Sequence, residues 1–284
     1  MKHLCVIGDP VLHSKSPLIQ NTMIQALGLD YDYVCQPVKR EELPLWLERV
    51  RAESWAGFNA TMPHKEALVP FMDELDEDAR LYGAVNTVCF RNGKLYGFNT
   101  DGGGFARALT MQGIPIKGTR FALLGAGGAA KAVALKLVQQ GAGHVTICNR
   151  TVEKAAALAA HAPEIISVTG FSLEELSVAC NRCDVLINCT NLGMAGSPKF
   201  DTLDFVDSLP SGVPVCDLIY HPLKTELLAR AEAKGHPVMN GLPLLIHQAI
   251  LALEHFTQTE IDAAAILPLV EAALANTIET EKAR

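Results

Sequence analysis

The chain has no basic surplus: 24 Lys and Arg stand against 31 Asp and Glu, a formal net charge of −7. It has no run of like charge either, so the electrostatic footprint needed for non-specific nucleic-acid binding is missing, as is any attraction to an anionic membrane. No uncharged apolar run approaches the ~20 residues of a membrane helix; the longest, residues 241–253, carries Pro243, His247 and Gln248. The opening Met1-Lys2-His3-Leu4-Cys5-Val6-Ile7-Gly8 has one Lys and an apolar stretch too short for a secretory signal, and it reads as a strand entering a turn. Internal repeats and low-complexity segments are also missing. These absences lead to the expectation of a soluble, cytoplasmic protein that binds neither nucleic acid nor membrane.

A second C-x-x-C pair is missing too. Cys180-Asn181-Arg182-Cys183 stands alone, whereas a zinc ribbon needs two such pairs, so no metal site is expected. Most of the eight cysteines sit in apolar strand-like runs, as Cys5, Cys148, Cys189 and Cys216 do, and read as buried free thiols.

What the chain does have is 284 residues with 49% hydrophobic content, enough for about two cores. Strand-length apolar runs alternate with helix-length amphipathic stretches, the pattern of a parallel α/β sheet covered by helices. Strands are expected at 4–8, 31–37 and 57–60, and helices at 17–27, 43–52 and from 66 onward. A hairpin over 85–90 and 94–98 is joined through Asn92-Gly93, a favoured two-residue turn. The chain changes character at Asn99-Thr100-Asp101-Gly102-Gly103-Gly104. A second doubly wound unit then begins, with strands at 121–124, 145–148, 185–189 and 213–216. Two amphipathic helices, 244–256 and 261–275, close the chain.

Between the strand at 121–124 and the following helix, Gly125, Ala126, Gly127, Gly128, Ala129 and Ala130 fit G-x-G-x-x-[GA]. Glycines there permit a tight turn and close approach of the backbone to a pyrophosphate, which the helix N-terminus attracts. An NAD-preferring site puts a carboxylate at the tip of the next strand. Here that tip reads Asn149-Arg150-Thr151, with Lys154 one turn later, so positive charge stands where NADP carries its extra phosphate.

In the first unit, polar residues crowd the apparent strand ends: His13 to Ser16, Asn59 to Lys65, and Asn86 with Asn99 to Asp101. Hydroxyls, amides, one amine and one carboxylate suit a small polyhydroxylated acid. Helix capping is the alternative reading of Ser14 and Ser16, and of Asn99 or Asp101. Met23, Met62 and Met194 read as packing residues, and His64 as a structural neighbour of Lys65.

Taken in order, the motifs S-K-S at Ser14–Ser16, N-x-T-x-P-x-K at Asn59–Lys65, G-A-V-N-T at Gly83–Thr87, N-T-D-G at Asn99–Gly102, the glycine loop, N-R-T at Asn149–Thr151 and D-x-x-Y at Asp217–Tyr220 resemble the shikimate dehydrogenase family along essentially the whole chain. The resemblance implies reversible NADPH-dependent reduction of 3-dehydroshikimate to shikimate, a step of the chorismate pathway. Lys65 and Asp101 are implied as the catalytic pair, with Ser14, Ser16, Asn59, Thr61, Asn86, Tyr220 and Gln248 on the substrate. It places NADP against Gly125 to Ala129, Asn149, Arg150, Thr151 and Lys154, with Leu218 and Gly241 as further contacts.

It further implies two doubly wound α/β domains. One is a discontinuous substrate-binding domain of residues 1–102 and 240–284, and the other a Rossmann NADP domain of residues 103–239. A homodimer is left open. A quinate or aminoshikimate paralogue with relaxed cofactor use and a non-catalytic NADP or metabolite sensor are the alternatives. The chain departs from the family at Gly241-Leu242-Pro243, where a second glycine followed by Met is frequent. On chemistry alone, hydride arriving at a carbonyl carbon leaves an alkoxide, and an ammonium such as that of Lys65 supplies both the proton and electrostatic stabilisation. An adjacent Asp101 would hold that ammonium in place.

Overall fold

The computed structural model describes residues 1–53 and 55–282. The chain divides into two compact units, residues 1–100 with the chain from 246 onward, and residues 101–245.

The first unit runs β1 (Lys2–Gly8), α1 (Ser16–Ala26), β2 (Tyr31–Pro37), α2 (Leu43–Ala52), β3 (Gly57–Ala60), α3 (His64–Ala67), β4 (Glu74–Leu75), α4 (Glu77–Tyr82), β5 (Thr87–Arg91) and β6 (Lys94–Phe98). Its six-stranded sheet has the order β2-β1-β3-β5-β6-β4. β1 pairs in parallel with β2 and β3, and the apolar run Leu4 to Gly8 is buried, as a central parallel strand requires. The hairpin makes this sheet mixed rather than wholly parallel, because β5 runs against both β3 and β6. Asn92 and Gly93 turn it with φ of 51° and 77°, a conformation that Asn and Gly adopt most readily. The helix expected from residue 66 onward is a single turn, α3. Val69-Pro70-Phe71 continues it only as a 3-10 turn.

Side-chain alternation assigns the two faces of this sheet. Cys5, Ile7, Phe58 and Ala60 pack with Leu43, Trp46, Leu47 and Val50 of α2. The opposite face meets α1 and Phe256 of α10 (Leu242–Thr257), and α1 in turn packs against α11 (Ala263–Lys282), these two helices being numbered after α5 to α9 of the second unit. Gln20 of α1 donates to the Ala249 carbonyl of α10 at 3.0 Å. Gly57 is needed on β3 because a Cβ there would strike the Phe256 ring at 2.7 Å. Pro243 falls in the first turn of α10, where a missing N–H leaves no helical bond unmade.

The second unit runs α5 (Asp101–Met111), β7 (Arg120–Leu124), α6 (Gly128–Gln139), β8 (His144–Cys148), α7 (Val152–Ala159), β9 (Ile166–Thr169), α8 (Leu173–Arg182), β10 (Val185–Asn188), β11 (Val215–Asp217), α9 (Glu226–Ala233) and β12 (Val238–Met239). Its strands are all parallel in the order β12-β11-β10-β7-β8-β9. The direction of winding reverses between β7 and β10, which opens a crevice at their carboxyl ends. Phe205, Leu176, Leu227 and Leu186 anchor its core.

All eight cysteines are free, and six are buried. Burial pushes the Cys148 and Cys216 thiols up to about 12. Of the three methionines read as packing residues, only Met23 is buried. Met62 and Met194 are 78% and 41% exposed, since each sits in a turn with no layer above it. Among the described residues no helix is long and apolar enough to cross a membrane.

Candidate active site

β1, β3 and β6 end on the same edge of the first sheet at which the antiparallel β5 begins, and most of the polar positions singled out in this unit gather there. Ser14 and Ser16 follow β1, their hydroxyls 3.1 Å apart, and Ser14 Oγ accepts the Ser16 N–H. Neither hydroxyl caps α1, whose N-cap position is Lys15 with no side-chain bond. Thr61 follows β3, with its N–H on the Ile7 carbonyl at 2.9 Å. Half-buried Lys65 lies in α3, pinned by its carbonyl, which accepts the Val85 N–H at 2.8 Å. His64 is fully buried and donates from Nε2 to the Val38 carbonyl at 2.7 Å, a structural tether for the turn that carries Lys65.

A bracket of side chains holds the centre of this edge. Asn59, 7% exposed, donates from Nδ2 to the Asn86 carbonyl and to Thr87 Oγ1, and its Oδ1 accepts the Tyr33 hydroxyl at 2.7 Å. Asn86 in turn accepts the Thr100 N–H at 2.9 Å and donates to Thr100 Oγ1 at 3.0 Å. Thr100 reaches Gln248 Oε1 at 3.5 Å. Asn59, Asn86 and Gln248 are thus brought together by Tyr33, Thr87 and Thr100, which the sequence reading did not single out. Thr87 closes the G-A-V-N-T motif and Thr100 lies within N-T-D-G, so both were open to notice. Tyr33 gave no signal, since its partner lies 26 residues away on a non-adjacent strand.

In the second unit the carboxyl edge gathers the remaining positions. Gly125 has φ of +103°, and a Cβ there would meet Thr190 Cγ2 at 2.9 Å. Gly127 is the N-cap of α6 with no side-chain cap, and a Cβ at Gly127 or Gly128 would meet nothing within 4 Å. The start of α6 is thus open around these two glycines and has no side-chain cap, which suits an anion at the helix N-terminus. Beside it lies a cavity of about 270 Å³ lined by Ala126, Gly127, Asn149, Arg150, Thr151 and Lys154 on one side and by Phe171 and Thr190 to Leu192 on the other.

The Arg150 guanidinium lies over the Phe171 ring at 5.7 Å, and among the described residues neither Arg150 nor Lys154 forms an ion pair. Both cations are exposed beside the glycine turn, and no carboxylate occupies the tip of β8. This donor set fits a dinucleotide bearing a 2′-phosphate. Ala129 follows Gly128 in the first turn of α6. Gly241 is required because a Cβ would overlap the Leu218 carbonyl, and its N–H meets the Ile219 carbonyl at 2.9 Å. Tyr220, 37% exposed, stands on the loop after β11. Asp101 opens α5 and is half-buried. Asn188 and Thr190 follow the same strand-end rule as the glycine loop and were legible by it; Phe171 was not.

Residues 6–88 match the family described as shikimate dehydrogenase substrate binding domain, and residues 108–194 match shikimate / quinate 5-dehydrogenase. The chain is 42% identical over 257 residues to the shikimate dehydrogenase (NADP(+)) of Alkaliphilus metalliredigens, covering 89% of this chain and 90% of that protein. It is similar in structure to the shikimate 5-dehydrogenase of Thermus thermophilus in complex with NADP(H) and shikimate, with a TM-score of 0.83, 36% identity and coverage of 96% and 100%. The 5-ketofructose reductase of a Gluconobacter species also matches, with a TM-score of 0.84, 31% identity and coverage of 95% and 98%. With both family regions matched and relatives well above 30% identity along nearly the whole chain, the protein belongs to the shikimate dehydrogenase family.

Proposed function

We propose that the protein catalyses the reversible, NADP-dependent interconversion of shikimate and 3-dehydroshikimate. The observation that carries this reading is the 42% identity across 89% of the chain to an NADP-dependent shikimate dehydrogenase, read together with the uncapped glycine turn beside Arg150 and Lys154. When bound, NADPH supplies a hydride to the substrate carbonyl carbon.

The chain's own residues do the rest. The Lys65 ammonium donates a proton to the oxygen as negative charge develops on it, and in the oxidising direction neutral Lys65 Nζ takes the hydroxyl proton away. Asp101 is assigned as the carboxylate that orients Lys65. The Ser14 and Ser16 hydroxyls donate to the substrate carboxylate. Thr61, Asn86, Tyr220 and Gln248 read the ring hydroxyls, and Asn59, bonded to Tyr33, Thr87 and the Asn86 carbonyl, serves them from behind. Arg150 and Lys154 take the 2′-phosphate, while the N-terminus of α6 takes the pyrophosphate.

The test is reduction of NADP⁺ by the purified protein with shikimate. Absence of turnover with either nicotinamide cofactor in folded protein would refute the proposal. The similarity to a 5-ketofructose reductase motivates a second substrate reading, a polyol ketone or quinate. Side-by-side kcat/KM values for shikimate, quinate and 5-ketofructose separate the two, since a site built to bond one hydroxyl discriminates strongly against a ligand lacking it.

A further inference from the structure

Asn188 ends β10 and Asp217 ends β11, side by side in the parallel ladder and buried at 0% and 1% exposure. Asp217 Oδ1 accepts Asn188 Nδ2 and the Ile219 N–H, each at 3.0 Å, and Oδ2 accepts the Thr225 hydroxyl at 2.7 Å. Each donor leads to a different segment. Asn188 Oδ1 accepts both the N–H and the hydroxyl of Thr190, at 3.0 and 2.6 Å, and Thr190 Oγ1 accepts the Leu192 N–H at 3.1 Å, which shapes one wall of the nucleotide cavity. Ile219 precedes Tyr220, and its carbonyl receives the Gly241 N–H. Thr225 caps α9 by accepting the Leu228 N–H.

An acceptor-only group suits a point on which three donors converge, but a buried carboxylate is an expensive choice. Desolvation pushes the Asp217 carboxyl up to about 6, while its three hydrogen bonds pull the other way. An amide of the same shape would avoid this cost and keep one of the two acceptor oxygens.

We propose that Asp217 is a positioning residue that sets the Thr190–Leu192 wall against the Leu218–Tyr220 segment, so that cofactor binding and the placement of Tyr220 depend on one carboxylate. This rests on the cavity being the NADP site and Tyr220 a substrate contact, as proposed above. The test compares wild type, Asp217→Asn, Thr190→Val and the double variant by calorimetric titration with NADP⁺ alone, by shikimate KM and kcat, and by unfolding in urea.

The expected result for Asp217→Asn is a folded protein that binds NADP⁺ about tenfold more weakly and has a raised shikimate KM, the scale at which small displacements of binding groups are felt. Thr190→Val, which loses one hydroxyl at a partly exposed site, weakens NADP⁺ in the same direction. The double variant is no worse than Asp217→Asn, because both release the same wall. Unchanged NADP⁺ affinity in either single variant, or fully additive losses, overturns the proposal. If Asp217→Asn does not fold, the Thr190→Val titration decides alone. Wild type that binds no NADP⁺ brings down the functional reading and this proposal with it, whereas wild type that binds normally beside unaltered variants removes only the proposal.

Discussion

Tyr33→Phe removes one oxygen atom from the interior of the first unit, and the consequence can be worked from its surroundings. Tyr33 is 2% exposed, and burial holds its phenol well above its ordinary titration range, so the hydroxyl remains a donor throughout the working pH range. Its acceptor, Asn59 Oδ1, has no other donor among the described residues. The substitution therefore leaves a desolvated amide carbonyl unpaired, a loss of about 1–3 kcal/mol.

Both tryptophans, Trp46 and Trp55, belong to the first unit, so tryptophan fluorescence during urea unfolding follows the unit that contains the substitution. Asn59→Ala removes the same bond from the other side. The double variant should fall short of the sum of the single losses by about 1–2 kcal/mol. Shikimate KM should rise roughly fivefold in Tyr33→Phe, because Asn59 also holds the Asn86 carbonyl and Thr87. NADP⁺ affinity, which the second unit supplies, should not move. A stability loss below about 0.5 kcal/mol, or strict additivity in the cycle, refutes the bracket as a determinant of the site.

Lys65→Ala should lower kcat by a factor on the order of 10² or more while NADP⁺ still binds, and turnover near the wild-type rate would remove Lys65 from proton transfer. Arg150→Ala should raise the KM for NADP by roughly 10- to 100-fold and leave the KM for NAD nearly unchanged, the difference being one charged hydrogen-bonding partner of the 2′-phosphate; parallel changes for both cofactors would contradict that assignment. Stability should depend on pH through Asp217. Its carboxyl is raised from 3.8 to about 6, so the folded protein binds the proton first, and stability falls as pH rises through that window by about 3 kcal/mol. The Cys189 and Cys216 thiols face it and do not titrate there. Asp217→Asn should flatten this slope in urea unfolding followed by circular dichroism between pH 4 and 8, and unchanged curvature would count against it.

Local chemistry made much of the architecture legible. Asn92-Gly93 announced a hairpin because two adjacent residues tolerate positive φ, and Gly125 to Gly128 announced a phosphate cradle because an apolar strand stops directly before them. Short elements escaped notice: β4 and β12 have two residues each, too few for a period to register. Contacts between distant segments escaped for another reason. Asn59 belongs to a polar motif that suggests a group open to a ligand, yet its amide is spent inside the protein on Tyr33, Asn86 and Thr87. Met62 and Met194 look apolar and stand in solvent, since the turns holding them have nothing packed outside. Side-chain direction within a turn follows from tertiary packing, which residue type does not report.

The discontinuity of the first unit imposes an order on birth. Residues 1–100 leave the ribosome with α10 and α11 still unmade, so the sheet face that Phe256 covers is bare and Gln20 and Thr100 lack their partners at Ala249 and Gln248. At about 5–20 residues per second, residues 101–245 occupy on the order of ten seconds or more of synthesis. The second unit, contiguous in sequence, is complete when that interval ends. A nascent chain is thus ready to hold its nucleotide while its substrate half still awaits the closing helices, and the exposed apolar face of that half is the surface a chaperone would meet.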